Sequence, residues 1–399
     1  MKKLVAIILT FVITLSLIVP TVADSADFIS DNEGPSLSTG GEAVKLDIDA
    51  KSAYLIEAET GTVLYANNEL ADASPASVTK IMTLLLVMEA IDEGIIKLTD
   101  VVSVSPYAAS FGGSQVFLEE GERISVEDLL KSTVIASAND AAVALAELVC
   151  GSESAFVSRM NQKAMELGLK NTHFQNTTGL DDTTTDHYSC ALDIATMSRE
   201  LIKHELILKY SSIWQDTIRD GQFTLTNTNR LVRYYDGCNG LKTGSTDKAG
   251  YCVSTTAKRD NMQLIAVIMG AETRDGRNAA ARTLLDFGFS NYALYEESEQ
   301  FLEDASVVKG KKDAVGLYTT PFRYVVKKGE VGAVEKIYEI PEKLVAPFSE
   351  GEAVGKVTYK LADKVIGHSD ICTEEAVMEI GIFEIFVRIL KNIFLGGKS

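Results

Sequence analysis

The sequence predicts a mixed α/β fold of the α+β kind, with a small all-β module behind it and an amphipathic helix near the C-terminus. Three observations predict this. Apolar residues recur at helical spacing over residues 78–91 and through a mostly helical stretch over 126–208. Two strand-like runs, 251–257 and 262–269, flank the charged turn Lys258-Arg259-Asp260. Beyond about Ser290, short alternating runs such as 314–318 and 322–326 are separated by Lys/Gly turns.

The elements follow in order. Residues 53–56 and 62–65 read as a hairpin around the turn Glu59-Thr60-Gly61. The helix over 78–91 has its start signal in Ser74-Pro75 and its stop in Gly94. After the helical stretch, a Gly/Asn-rich region around Asn239 leads into the strand pair, and a helix over 277–287 closes the unit at Gly288. Residues 374–395 read as a two-faced helix. Ile382, Ile385, Phe386, Ile389 and Ile393 lie on one side; Glu384, Arg388, Lys391 and Asn392 lie on the other. Its interrupting charges disfavour spanning a bilayer and favour lying in the headgroup plane at a membrane surface. Docking on its own protein or on a second copy is the competing use of such a face.

At the other end, Lys2 and Lys3 precede an apolar run over 4–19, then Pro20 and the small residues Thr21-Val22-Ala23. This is the layout of a secretory signal peptide over 1–23, implying export. A transmembrane anchor is the competing reading of the same run. Residues 24–45, rich in Ser, Gly, Asp and Glu, read as a flexible leader. The expected divisions are then 46–289, 290–372 and 373–399.

Composition excludes several function classes. A net charge of -18 over 399 residues argues against a nucleic-acid partner, which needs a basic face. The five cysteines are scattered and odd in number, so no disulfide framework is readable. Four histidines without a His-Glu-x-x-His pattern disfavour a metal hydrolase, and no cofactor is expected.

What remains is nucleophilic chemistry. Ser77-Val78-Thr79-Lys80, Ser137-Ala138-Asn139 and Lys242-Thr243-Gly244 stand in that order. None is informative alone: Ser-x-x-Lys recurs at Ser245 with Lys248 and at Ser306 with Lys309. Together they supply a nucleophile, amines to move its proton and polar groups to hold an acyl substrate. Ser77 and Lys80 share a helix face if the helix begins at or before Ser77, and Lys80 becomes a base if burial and a second cation, Lys242, lower its pKa. Ser137 and Asn139, alternating in an extended loop, can face a cleft. Ser137 would relay a proton between Lys80 and the leaving group, and Asn139 would orient Lys80 and bind a substrate amide. A strand edge at Lys242-Thr243-Gly244 can pair with an extended peptide, Lys242 and Thr243 binding its terminal carboxylate. Gly244 leaves room for close approach, and the Ser245 N–H joins that of Ser77 as an oxyanion donor. His187, with no Gly-x-Ser-x-Gly motif to serve, reads as a structural hydrogen-bonder.

These motifs and their contexts resemble the serine D-alanyl-D-alanine carboxypeptidases, the type-5 low-molecular-mass penicillin-binding proteins. The resemblance extends through Pro75-Ala76, Asp140-Ala141-Ala142, Asn176-Thr177-Thr178-Gly179-Leu180, His187-Tyr188-Ser189, residues 236–244, and Ala346-Pro347 with Gly351-Glu352. It implies a penicillin-binding/β-lactamase-like catalytic domain, an antiparallel sheet flanked by helices, then a β-rich domain and a membrane-surface helix. It also implies removal of the terminal D-alanine from peptidoglycan pentapeptide stems through an acyl-serine, with β-lactams as covalent inhibitors. Site residues carried over are Ser77 as nucleophile and Lys80 as base, with Ser137, Asn139, Lys242 and Thr243 in support. Ser245 stands where family members often carry histidine. A class A β-lactamase would share the motifs, but no Glu-x-x-Leu-Asn segment lies between the second and third. A non-catalytic wall-binding protein is disfavoured by the intact Ser77, Lys80, Asn139 and Lys242.

Overall fold

A computed structural model describes residues 45–182 and 184–394. The expected signal peptide lies outside the described residues, as do the leader (but for its last residue) and residues 395–399. The centre of the larger domain is a five-stranded antiparallel sheet. Its strands are β1 (Ser52–Glu57), β2 (Val63–Asn67), β3 (Cys238–Thr246), β4 (Gly250–Arg259) and β5 (Met262–Ala271), in the order β2-β1-β5-β4-β3. The hairpin pairs Leu55 with Tyr65.

Strand β5 is buried along its whole length, which shows that both faces of the sheet are covered. Ile265, Val267 and Met269 point into the core shared with helices α1 (Lys80–Asp92), α2 (Val126–Ile135), α3 (Asn139–Cys150), α4 (Glu153–Glu166) and α5 (Ala191–Leu201). The alternate residues Leu264, Ala266 and Ile268 pack with Ala281, Leu284 and Leu285 of α6 (Arg274–Asn291). This helix runs past Gly288, the expected stop. A β-carbon there would lie 2.5 Å from Leu264 Cδ1, so the glycine serves close helix–sheet packing rather than termination.

Two further expectations change. Ser77 precedes α1, in a 3-10 turn over Ala76–Thr79, and the helical stretch breaks at 167–190 into loops that reach the cleft. The β-rich domain follows, its six-stranded sheet interleaving residues 300–308, 314–319, 334–339, 343–345, 353–361 and 364–373 around Val315, Leu317, Val357 and Ile371.

The terminal helix α7 spans Ile382–Phe394, later than expected. Residues 374–381 are extended instead, because Val377 bridges to Phe348 and Glu379 to Gly310. Its charged side turns inward: Glu384 pairs with Lys311 at 3.0 Å and Arg388 with Asp313 at 2.7 Å. Its apolar side is bare, Ile382 and Phe383 being 88% and 77% exposed.

Candidate active site

All eight sequence-predicted site residues meet where the 3-10 turn, the α2–α3 junction and the outer strand β3 converge. The Ser77 turn is wedged between two glycines. A β-carbon on Gly179 would fall 1.8 Å from Ala76 O, and one on Gly244 would fall 2.7 Å from Ser77 N. Neither site admits a larger residue without moving the turn.

Lys80 is fully buried. Its Nζ lies 2.6 Å from Asn139 Oδ1, 2.9 Å from Thr178 O and 3.0 Å from Ser77 Oγ. Burial holds its pKa well below the ordinary lysine value; Lys242 lowers it further, and Asp140 opposes both. A neutral amine has two N–H groups and one lone pair. The two carbonyl oxygens accept the N–H groups, which leaves the lone pair for the Ser77 hydroxyl.

Asn139 is fixed in turn. Its Nδ2 donates to Gly112 O (2.7 Å) and its backbone N–H to Ser114 O (2.7 Å). Buried Asp140 anchors that segment by accepting the N–H groups of Val116 and Leu118. Contrary to the extended loop expected, Asn139 is the first residue of α3, and Ser137 sits before it with a φ of 64°. Ser137 Oγ accepts from Lys242 Nζ at 2.8 Å, and the same amine reaches Thr243 O at 2.9 Å. Lys242 is pulled down to about 7, first by burial and then by Arg277. Thr243 Oγ1 donates to Thr228 Oγ1 at 2.9 Å, while Ser245 is exposed on the cleft wall.

His187 is buried, accepts from Gln175 N–H at Nδ1 (3.1 Å) and sits 2.8 Å from Thr79 Oγ1. Burial takes its pKa down to about 4. It braces the turn and does not touch Ser77 Oγ.

Sequence reasoning missed several groups. Thr178 lies in a stretch that the resemblance marks, but it acts through a backbone carbonyl, an atom every residue owns, so the side-chain pattern gives it no role. Glu153 holds that loop by accepting from Thr177 N (3.0 Å) and Thr177 Oγ1 (2.7 Å). Thr228, Trp214, Arg230, Tyr234, Arg274 and Arg277 line the same cleft as Ser77, Ser137 and Thr243, of about 670 Å³. Arg277 was detectable as a cation in the first turn of a helix, where the dipole disfavours it.

A family model described as D-alanyl-D-alanine carboxypeptidase matches residues 39–273, and one described as penicillin-binding protein 5, C-terminal domain, matches 289–379. The D-alanyl-D-alanine carboxypeptidase DacF of Bacillus subtilis is 45% identical over 361 residues, 88% of this chain and 91% of the relative. The crystal structure of penicillin-binding protein 5 from Haemophilus influenzae superposes with a TM-score of 0.73 at 33% identity. It covers 84% of this chain and 99% of that one. An ampicillin-bound penicillin-binding protein D2 from Listeria monocytogenes has a TM-score of 0.57 at 31% identity, over 62% of this chain and 99% of its own.

Proposed function

The chain belongs to the D-alanyl-D-alanine carboxypeptidase family, and from that premise we propose that Ser77 is the nucleophile that removes the terminal D-alanine from a peptidoglycan pentapeptide stem. As a serine-type peptidase it forms and then hydrolyses an acyl-serine. The observation that carries the residue assignment is the buried amine of Lys80, 3.0 Å from Ser77 Oγ with both its N–H groups engaged elsewhere.

The substrate adds to β3 as an antiparallel strand, continuing the pairing used throughout the sheet. Its terminal carboxylate then lies toward Lys242 and Thr243, and its penultimate carbonyl lies over Ser77. Lys80 Nζ takes the Ser77 proton as Oγ attacks that carbon. The N–H groups of Ser77 and Ser245 hold the oxyanion. Collapse of the intermediate breaks the amide. Ser137 gives its hydroxyl proton to the departing D-alanine nitrogen and recovers one from Lys242 Nζ, 2.8 Å away. Because Lys242 titrates near 7, it can lose and regain that proton near neutral pH. Lys80 then passes the proton it took from Ser77 by way of Ser137 to the amine of Lys242, and, neutral again, deprotonates the water that cleaves the ester and returns that proton to Ser77 Oγ. A β-lactam enters as a false substrate whose ring opening yields the same kind of ester.

The placement follows from the same reading. The N-terminal 23 residues direct export, and α7 lays its bare face on the outer surface of the cytoplasmic membrane. The inward pairing of Glu384 and Arg388 supports this, since it leaves the apolar side to a partner of hydrocarbon character.

The test is labelling with fluorescent penicillin beside mass spectrometry of a pentapeptide. The wild type acquires label and releases one D-alanine, and Ser77→Ala does neither. Equal labelling of both proteins would remove Ser77 from its role.

A further inference from the structure

The mechanism leaves one carboxylate near the Ser77 turn unused. Asp181 Oδ2 accepts from Ser74 Oγ at 3.1 Å and from Thr246 Oγ1 at 2.5 Å. Ser74 stands three residues before Ser77, and Thr246 directly follows Ser245. One oxygen atom therefore ties together the two segments whose N–H groups would hold the oxyanion.

Both segments need holding. Ala76, between Ser74 and Ser77, has a φ of 47°, which a residue with a β-carbon keeps only where its surroundings enforce it. Gly179 and Gly244 pack against this turn, but packing resists approach and does little against separation. Two hydrogen bonds to one atom do resist it, and bonds to a carboxylate are roughly twice as strong as those to a neutral acceptor. Thr246 is the last residue of β3, the outer strand, where its only strand partner is Gly250 of β4. Its hydroxyl accepts from Ala249 N–H at 3.0 Å, so its one proton is free to go to Asp181. Asp181 itself is anchored to the loop that serves Lys80. Asn176 folds that loop, accepting from Gly179 N–H at 2.7 Å and donating to Leu180 O at 2.7 Å, and Thr178 O accepts from the Lys80 amine. The acceptor of the base, the turn of the nucleophile and the end of β3 thus share one node.

We propose that Asp181 is a positioning residue for acyl transfer, fixing the separation of the Ser77 and Ser245 N–H groups and so the fit of the oxyanion hole. The inference rests on the acyl-serine reading above and adds a residue that acts through Ser74 and Thr246 rather than on the reacting atoms. The oxyanion exists only once Ser77 Oγ has begun to attack. Loosening the hole therefore slows acylation and leaves the preceding non-covalent binding in place.

Stopped-flow acylation by a fluorescent penicillin separates the two, as the limiting rate and the half-saturating concentration. Asp181→Ala should lower the limiting rate by about thirtyfold, somewhat less than deletion of an oxyanion donor costs, and move half-saturation by less than about threefold. Asp181→Asn, which keeps a neutral acceptor oxygen, should lose only about fivefold. S74A/T246V should match Asp181→Ala, and combining all three should cost little more, because the same two bonds are removed. The final extent of labelling counts competent sites, so a variant that is partly unfolded still gives a rate per folded molecule. A limiting rate for Asp181→Ala within about threefold of wild type overturns the proposal. So does a loss carried by half-saturation instead, or one that adds in full to that of S74A/T246V. A wild type that penicillin does not acylate would overturn the Ser77 reading, and the clamp with it.

Discussion

Gly244 lies against the turn that carries Ser77: a β-carbon on it would stand 2.7 Å from Ser77 N and 2.9 Å from Val78 N. Both contacts are backbone atoms, so no side chain can swing aside. The amide that would stabilise an oxyanion and the strand that would align the substrate are thus set in one step. Gly244→Ala should push the turn away and cut penicillin acylation by about a hundredfold, the scale of a misplacement near 1 Å. Stopped-flow acylation measures it; a loss below threefold would show that the turn has slack.

Asn139 takes one N–H of Lys80 at 2.6 Å. Asn139→Asp keeps the shape and adds a negative charge beside the amine, which favours its protonated form. The acid limb of the acylation rate should therefore move to higher pH. Asn139→Leu should leave the limb's direction unchanged but lower the rate at every pH. Rates between pH 5 and 10 separate the two.

Lys242 contributes a pH-dependent stability term. Its folded pKa of about 7 lies below the ordinary 10.5, so the unfolded chain binds more protons between those values. Stability from this group rises with pH across that window and is lowest below pH 7. Lys242→Met should accordingly gain most relative to wild type at pH 6 and progressively less toward pH 10. Urea melts at pH 6, 8 and 10 give the comparison, and a gain that grows with pH would contradict the assignment.

Glu153 anchors the loop whose carbonyl holds Lys80. Glu153→Leu strands the buried Thr177 N–H and should cost about 1–3 kcal/mol of stability. Acylation should fall too, because Thr178 O is no longer fixed. Thermal melts and labelling rates are read together; a melt shift without a rate change would confine Glu153 to the scaffold.

Deleting residues 382–399 removes α7 and spares the extended segment that pairs with the β-rich domain. The shortened protein should leave the membrane fraction and keep its penicillin labelling. Retention in the membrane would shift the anchoring role to the N-terminus.

Much of this was legible because side chains carried it. Ser77, Lys80 and Lys242-Thr243-Gly244 are residue types whose spacing survives folding, and the strand pairs show their period directly. Other parts were invisible for stated physical reasons. The Thr178 carbonyl has no residue signature. Ser137 takes a left-handed φ of 64° that serine rarely adopts, so the extended loop was the default expectation. The start of α7 depended on bridges from Val377 and Glu379 to distant partners, which outweighed local helical periodicity. Arg230, Arg274 and Arg277 come from two separate segments, and only the fold brings them to one cleft.

Strand β3 has one neighbour in its sheet, which makes it a permanently open edge. Such an edge ordinarily invites other sheets to join and chains to aggregate. Here Thr243, Gly244 and Ser245 of that edge line the cleft together with Ser77, Trp214 and Tyr234, and the Thr243 carbonyl is already engaged by Lys242 Nζ. A lone extended peptide needs one strand's width beside that edge, whereas an incoming sheet brings further strands at spacings of about 4.8 Å against the cleft lining. The same recess that would take a flexible stem peptide thereby shields the edge from association with folded neighbours.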